Sequence, residues 1–152
     1  MLNPSTADDR VDDPTTRRVI AFSQSWGYGG CVVVNLFGFR CADPTALLAV
    51  DDPIGRGNTA AVRSVIDGAA SSGADRVVVA WGVHGQRRLA DPTDVGRRTR
   101  RLVAGASERW SAGSLCPVTL GATARGAPRH PLYVASSARP EPLPTASITA
   151  MS

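Results

Sequence analysis

The sequence predicts an α/β fold, a three-layer α/β/α sandwich around a short, mostly parallel sheet whose first strand is truncated. Three short apolar runs rich in β-branched residues, CVVVNLF, RVVVAWG and LCPVTLG, are typical of strands buried in a parallel sheet. Helical segments of ten or more residues separate them, which implies right-handed crossovers. Residues 1–134 are expected to form a single domain, and the Pro-, Ser- and Ala-rich residues 135–152 a disordered tail.

The first helix is predicted to begin after Asp13, an N-cap that is followed by Pro14 at the first helical position. The helix should run through TTRRVIAFSQSW until GYGG stops it. Its buried positions are expected to be Val19, Ile20, Phe22 and Trp26.

The connection after the first buried run is long and should contain one helical turn, around TALLAV. Asn58 is expected to cap a second helix, NTAAVRSVIDGAAS, which ends at Gly73. One face of this helix is apolar and should face the core: Ala61, Val62, Val65 and Ile66.

A third helix is predicted from about Thr93 to Arg109. It carries a cluster of arginines: Arg97, Arg98, Arg100 and Arg101. Because helical spacing spreads them around the helix, a solvated surface is favoured over a phosphate-binding stripe, although the net charge of +4 allows an anionic partner. Pro117 indicates that the last strand lies at an edge of the sheet or begins late.

Composition excludes several classes of function. The 152-residue chain has no apolar run long enough to cross a bilayer and no basic-then-apolar leader, so the expected location is the cytoplasm. Its three cysteines lack paired CxxC spacing and are expected to be buried free thiols: Cys31, Cys41 and Cys116. With two histidines and no HExxH, GxGxxG, P-loop or GxSxG motif, we expect no metal, no cofactor and no serine hydrolase.

Polar residues occur where the predicted strands end. They are LNPST at the start of the chain, Asn35 after VVV, Gly82 and His84 after RVVVAW, and PRHPLY after the last strand. Ligands of open α/β sheets bind beyond the carboxyl ends of the strands, so these four loops are expected to converge on one rim.

The first two loops offer groups for holding a water and a ligand. Asn3, Ser5, Thr6 and Asp8 supply carbonyl, hydroxyl and carboxylate groups able to hold and polarise a water. The alternative is an ordinary Asn-Pro turn with a hydroxyl cap. Asn35 pairs an amide donor with an acceptor, which matches the edge of a nucleobase, or it ties two loops together.

His130 lies between prolines at positions 128 and 131 that should stiffen its loop. A histidine held in this way can donate a hydrogen bond to a developing negative charge, with Arg129 near a phosphate. A purely structural histidine is the alternative. His84 is the weaker candidate of the two.

Six motifs in order resemble a bacterial family of small proteins, the domain of unknown function family 1643. They cover roughly residues 1 to 134: MLNPSTAD, DDPTxRR, WGYGGxVVVNLFGFR, DPxxL, VVVAWGVHG and GxPRHPLY.

The order of the loops is also distantly similar to that of the uracil-DNA glycosylase superfamily, through LNPS, VVVNLFGFR, VVVAWG and RHPLY. That resemblance implies that Asn3 positions the attacking water, Asn35 reads the base and His130 stabilises the departing base. Leu132 stands where the superfamily has a serine. Relatives carry a segment ahead of MLNPST, which implies a start upstream of Met1 or a fold built around a gap.

The resulting expectation is a hydrolase of the N-glycosidic bond to a nucleobase in a nucleotide, a nucleoside or DNA. The catalytic residues would be Asn3 and His130, and the substrate-binding residues Ser5, Thr6, Asp8, Asn35, Arg40, His84, Arg129 and Tyr133. The alternative is a nucleotide- or nucleic-acid-binding module without turnover. A structural protein with an empty rim is a third possibility.

Overall fold

The mixed α/β class is confirmed in the computed structural model, which describes residues 1–5, 13–112 and 115–143. The elements in that part of the chain are helices α1 (Pro14–Ser25), α2 (Asn58–Ser71), α3 (Gly82–Leu89) and α4 (Asp94–Ala112), and strands β1 (Arg76–Val79), β2 (Cys116–Thr119) and β3 (Glu141–Pro142). Two short 3₁₀ turns, Pro44–Ala49 and Pro131–Tyr133, complete them; the first confirms the turn predicted around TALLAV.

The sheet of the described residues is small and only partly parallel. β1 pairs with β2 in parallel, and β2 pairs with β3 antiparallel. The prediction that Pro117 marks an edge or a late start is therefore wrong, since it pairs with Val77 inside the central strand. The Pro117 carbonyl accepts from Leu143 N at 3.1 Å. Because the nitrogen and the carbonyl of one strand residue face the same neighbouring strand, the missing N–H of Pro117 faces Leu143, one residue past the end of β3, and no ladder bond of β3 is lost.

Residues 31–37, predicted as a buried strand, form no strand. Val32 is 74% exposed and Val33 45%, whereas Leu36 and Phe37 are buried. Because Cys31 and Cys116 are exposed as well, the expectation of buried thiols is wrong for both. A β-branched run becomes a strand only when neighbouring segments pair with it through backbone hydrogen bonds. Within the described residues, bonds of this kind reach only the end of the run, from Val34 to Phe37.

Helix α1 begins as predicted. The Asp13 carboxylate accepts from Thr15 N at 2.9 Å, and Pro14 is the first helical residue. Phe22 is buried and stacks on Trp26 at 5.3 Å. The prediction for Ile20 is wrong: it is 44% exposed, because two residues of a helix turn it about 200° away from Phe22.

Helix α2 buries Val62 and Ile66 as expected, although Ala61 is exposed. Asn58 is its first residue and not its cap. The N-cap is Gly57, whose φ of +82° suits glycine and which makes no side-chain capping bond.

Helix α4 contains the predicted third helix and packs beside α2, where Arg109 pairs with Asp67 at 2.9 Å. Three of its clustered arginines bind groups of this same chain: Arg97 to Asp94, Arg98 to Asp52, and Arg100 to the carbonyls of Leu89 and Asp91. Those contacts favour a structural role for the cluster.

Helix α3 was not predicted, because GVHGQRRL contains two glycines. Each glycine has a structural reason. A Cβ on Gly85 would lie 2.6 Å from Trp81 Cβ, and Gly82 has a φ of +70° where the chain turns from the strand into the helix. His84 therefore lies on the exposed side of a helix and not in a loop at the end of a strand.

The predicted tail contains ordered packing as far as residue 143. Trp26 Nε1 donates to Ala138 O at 3.3 Å, Arg139 donates to Ser25 O at 3.1 Å, and β3 and Leu143 follow. Leu143 is 8% exposed and belongs to the core. Residues 144–152 lie outside the described part.

The core gathers side chains from the start of the chain, the long connection, the sheet and helices α2, α3 and α4, including Leu2, Phe37, Leu47, Ile54, Ile66, Val79, Trp81, Leu102 and Trp110. None of the helices in the described ranges combines the length and the apolar character that a membrane crossing requires.

Candidate functional site

The first two residues run beside the end of the 31–37 segment. Met1 N donates to Val34 O at 2.9 Å, Leu36 N to Met1 O at 3.1 Å, and Phe37 N to Leu2 O at 2.9 Å. The first two bonds have the reciprocal pattern of a parallel bridge opposite Asn35. This contact brings the loop that begins at Asn3 next to the loop that begins at Asn35.

Asn3 is anchored through its amide nitrogen. Nδ2 donates to Cys41 O at 2.8 Å and to Pro4 O at 3.0 Å, and it lies 3.3 Å from Cys41 Sγ. Both N–H groups therefore hold the backbone, while the Oδ1 atom accepts no hydrogen bond from the described residues. An anchored amide with a vacant carbonyl oxygen is suited to orienting a water molecule.

Ser5 and Arg40 join the first loop to its surroundings. The Ser5 hydroxyl donates to Asp13 Oδ2 at 3.2 Å, and Arg40 Nε donates to Ser5 O at 3.1 Å. These contacts stabilise the loop. Thr6 and Asp8 lie outside the described residues.

Asn35 is half-buried at the bend before Leu36. Its side-chain amide makes no hydrogen bond to the described part of the chain. Its main-chain carbonyl is held by Asn58 Nδ2 at 3.1 Å. The structural role considered for Asn35, an amide that ties two loops together, is thus performed by the Asn58 side chain and not by that of Asn35.

The loop of His130 is fixed on both sides. Gly82 N donates to Pro128 O at 2.9 Å, and a Cβ on Gly82 would lie 3.6 Å from His130 Cβ. After the histidine, Arg18 donates to the carbonyls of Pro131 and Val134. The His130 loop is consequently held between the start of α3 and helix α1.

The His130 ring has one nitrogen occupied. Nδ1 accepts from Leu132 N at 3.3 Å, which leaves the ring proton on Nε2 in the neutral form. Burial lowers the pKa of His130 below its usual 6.5, with a smaller lowering from the Met1 amino group and an opposing effect of Asp13. The ring is therefore a neutral Nε2–H donor near pH 7.

This pKa direction predicts a pH dependence of stability. The unfolded chain binds a proton at His130 more readily than the folded one, so the free energy of unfolding should decrease as the pH falls below about 6.5. Urea titrations between about pH 7.5 and pH 5 would measure it. His130→Asn, which keeps an acceptor for Leu132 N, should have a smaller pH slope.

The comparison with the variant is needed because a second buried base titrates nearby. Burial lowers the pKa of the Met1 amino group from 8.0 to about 6. Its contribution to the free energy of unfolding therefore also decreases as the pH falls, but over a higher pH range, below about 8. It is common to both proteins. Equal slopes in the wild type and in His130→Asn would contradict the assigned pKa direction.

The remaining predicted residues lie at the margin. Arg129 Nε donates to Ala122 O at 3.2 Å, and Tyr133 is 75% exposed with its ring 5.7 Å from that of His130. His84 is exposed on α3, near Asp43 of the long connection. His84 is thus an exposed helical side chain, whereas His130 is a half-buried loop residue.

Sequence reasoning missed two residues of this site. Asp13, predicted only as a helix cap, also accepts from Ser5 and lies within electrostatic reach of His130. Burial alone would raise the pKa of Asp13, but hydrogen bonds from Thr15, Ser5 and Thr16 outweigh it and keep the carboxylate charged. Asn58, predicted as a cap, holds the loop of Asn35.

A surface cleft of about 620 Å³ lies elsewhere, along the exposed side of α2; it is lined by Gly57, Thr59, Ala60, Arg63, Ser64 and Asp67. It contains none of the predicted site residues. Within the described ranges, no three His, Cys, Asp or Glu side chains are grouped so that they could hold a metal ion.

Comparison with known proteins identifies one family. A family model described as a protein of unknown function, DUF1643, matches residues 1–132. No curated protein and no solved structure matches the chain. Since the match covers most of its length, the chain belongs to the DUF1643 family.

Proposed function

We propose that this protein hydrolyses the N-glycosidic bond between a nucleobase and its sugar, in a nucleotide, a nucleoside or DNA. The observation that carries the proposal is the half-buried Asn35 amide, which binds no described residue and is presented at a fixed bend. A vacant amide offers one donor and one acceptor side by side, as the edge of a base requires.

The proposed reaction needs a placed water and a partner for the leaving base. Water attacks C1′ of the sugar, the C1′–N bond breaks, its electron pair leaves with the base, and the water proton passes to the base or to solvent. Oδ1 of Asn3, which accepts no hydrogen bond from the described residues, orients the water, since its Nδ2 is fixed on Cys41. The Nε2–H of neutral His130 donates to the negative charge that develops on the base.

Two features of the margin support a nucleobase ligand. The exposed Tyr133 ring and the 41%-exposed Leu132 lie next to His130, where a flat base can stack on them. Exposed Arg40 and Arg129 carry positive charge for a phosphate. The three-layer arrangement of the uracil-DNA glycosylase superfamily and a cytoplasmic location are part of this proposal.

The test is base release, read by chromatography, from a panel of nucleosides, nucleotides and single- and double-stranded DNA with modified bases. We expect one class of substrate to release its base and Asn35→Ala to reduce that release by about tenfold or more, the loss of one or two hydrogen bonds. The matched control is Gln24→Ala, which also removes a side-chain amide but at an exposed position of α1 to which no part in the site is assigned. Equal rates for Asn35→Ala and the wild type would contradict the proposal.

The alternative is a binding module without turnover. Two contacts favour this alternative. The Asn3 amide nitrogen donates to Cys41 O, and the Ser5 hydroxyl donates to Asp13, so both groups stabilise the fold and not a ligand. It predicts a saturable affinity for one member of the same panel, lost in Asn35→Ala, without any released base after long incubation.

A further inference from the structure

Asn58 lies one residue past the N-cap of α2, the position at which asparagine ordinarily serves a helix. Asn, Asp, Ser and Thr at a helix start satisfy free N–H groups of the first turn. Asn58 is the first residue of α2 and does not do so, and its N-cap neighbour Gly57 has no side chain to supply the missing bond. The amide of Asn58 is directed away from the helix instead.

Its donors converge on the bend that carries Asn35. Asn58 Nδ2 lies 3.1 Å from Asn35 O and 3.1 Å from Leu36 O. In an extended strand consecutive carbonyls point in opposite directions, so a single nitrogen cannot reach both. Two consecutive carbonyls bound to one donor therefore fix the bend at Leu36, and with it the direction in which the Asn35 side chain leaves the backbone.

The surrounding packing leaves this contact little freedom. Gly38 N donates to Ile54 O at 3.0 Å and Phe39 N to Pro53 O at 3.1 Å, just before α2 begins. A Cβ on Gly38 would lie 2.9 Å from Ile54 O and 3.6 Å from Asn58 Cβ. The segment that leads into α2 thus lies tightly against the chain after Asn35.

We infer that Asn58 is a positioning residue that sets the direction of the Asn35 amide and so determines which edge of a nucleobase the site accepts. The inference rests on the proposed function, because it assigns Asn35 to the base. Within the described residues, the Asn58 side chain donates to the carbonyls of Asn35 and Leu36, and we assign it no contact with substrate.

The variant that tests it is Asn58→Asp. Aspartate has the same shape but no N–H to donate, and its oxygens would face two carbonyls. A carboxylate in the first turn of a helix is favourable, so α2 should persist. Thr59→Ala is the matched control, because Thr59 lies in the same turn but its side chain holds neither Asn35 nor Leu36.

Two measurements are made on the full chain. Amide hydrogen exchange of the 34–39 segment, without ligand, should be faster in Asn58→Asp than in the wild type and in Thr59→Ala. Equilibrium binding of cytosine and uracil, which differ by an amine or a carbonyl at one edge, reports the preference between bases. We expect that preference to fall by about tenfold in Asn58→Asp, to fall similarly in Asn35→Ala, and to fall no further in the double variant.

The outcomes separate the inference from the proposed function. Unchanged exchange, equal weakening for both bases, or additive effects of the two substitutions would overturn the positioning role even if the wild type binds a base. A wild type that binds neither base nor any other member of the panel would overturn the proposed function and, with it, the link between Asn58 and base choice. Faster exchange would then show only a contact that stabilises the bend.

Discussion

His130→Ala is expected to slow base release by about 10²–10³-fold near neutral pH, the usual effect of removing one donor to a developing negative charge. The reason lies in the ring contacts. Leu132 N occupies Nδ1, so the remaining N–H is Nε2, and burial keeps the ring neutral and able to donate. Single-turnover rates of base release, on the substrate identified with the panel, would measure the loss.

A second variant distinguishes chemistry from folding. His130→Asn retains an acceptor at the start of the Pro131–Tyr133 turn, so the loop should keep its conformation. We expect it to unfold at a urea concentration near that of the wild type and still to release base slowly. If His130→Ala folds and keeps a rate within about threefold of the wild type, His130 has no part in the reaction.

Phe37→Ala is expected to lower the free energy of unfolding by about 3–5 kcal/mol, the cost of emptying a fully buried aromatic site. The Phe37 side chain has 0% exposure, and its N–H donates to Leu2 O at 2.9 Å, so it lies between the core and the first loop. The measurement is the urea midpoint at constant slope.

The chain offers a close control for this substitution. Phe39, two residues later, is 39% exposed, and Phe39→Ala should cost clearly less because a large part of its ring already contacts solvent. Equal losses from the two substitutions would mean that the burial of Phe37 does not control stability. Loss of base release in Phe37→Ala under folding conditions would indicate that the Asn35 bend has moved as well.

Elements with a local signal could be predicted from the sequence. Asp13 and Pro14 define the start of α1 because a cap and an N1 proline act within one turn. Apolar spacing likewise identified the buried side of α2, which belongs to one short segment. The strand predicted for residues 31–37 is absent because a strand depends on pairing partners elsewhere in the chain, which the run itself does not specify.

The candidate site shows the same division. Asn3, Asn35 and His130 could be named from residue type and position, yet their hydrogen-bonding state could not. That Asn3 uses its nitrogen on Cys41, and that Asn58 serves the Asn35 bend and not its own helix, depends on contacts 38 and 23 residues apart. The glycines of α3 were misleading for a related reason, since Gly85 is explained by its packing on Trp81 and Gly82 by its φ of +70° at the turn into the helix.

The pairing of β3 with β2 matters for protein engineering. The family match stops at residue 132, whereas the chain continues across α1 and returns to the sheet, ending its described part at Leu143. A fusion or circular permutation joined at the family boundary would separate the central strand from its antiparallel neighbour and leave a bare edge prone to association between molecules. A junction beyond residue 143 keeps β3 paired with β2.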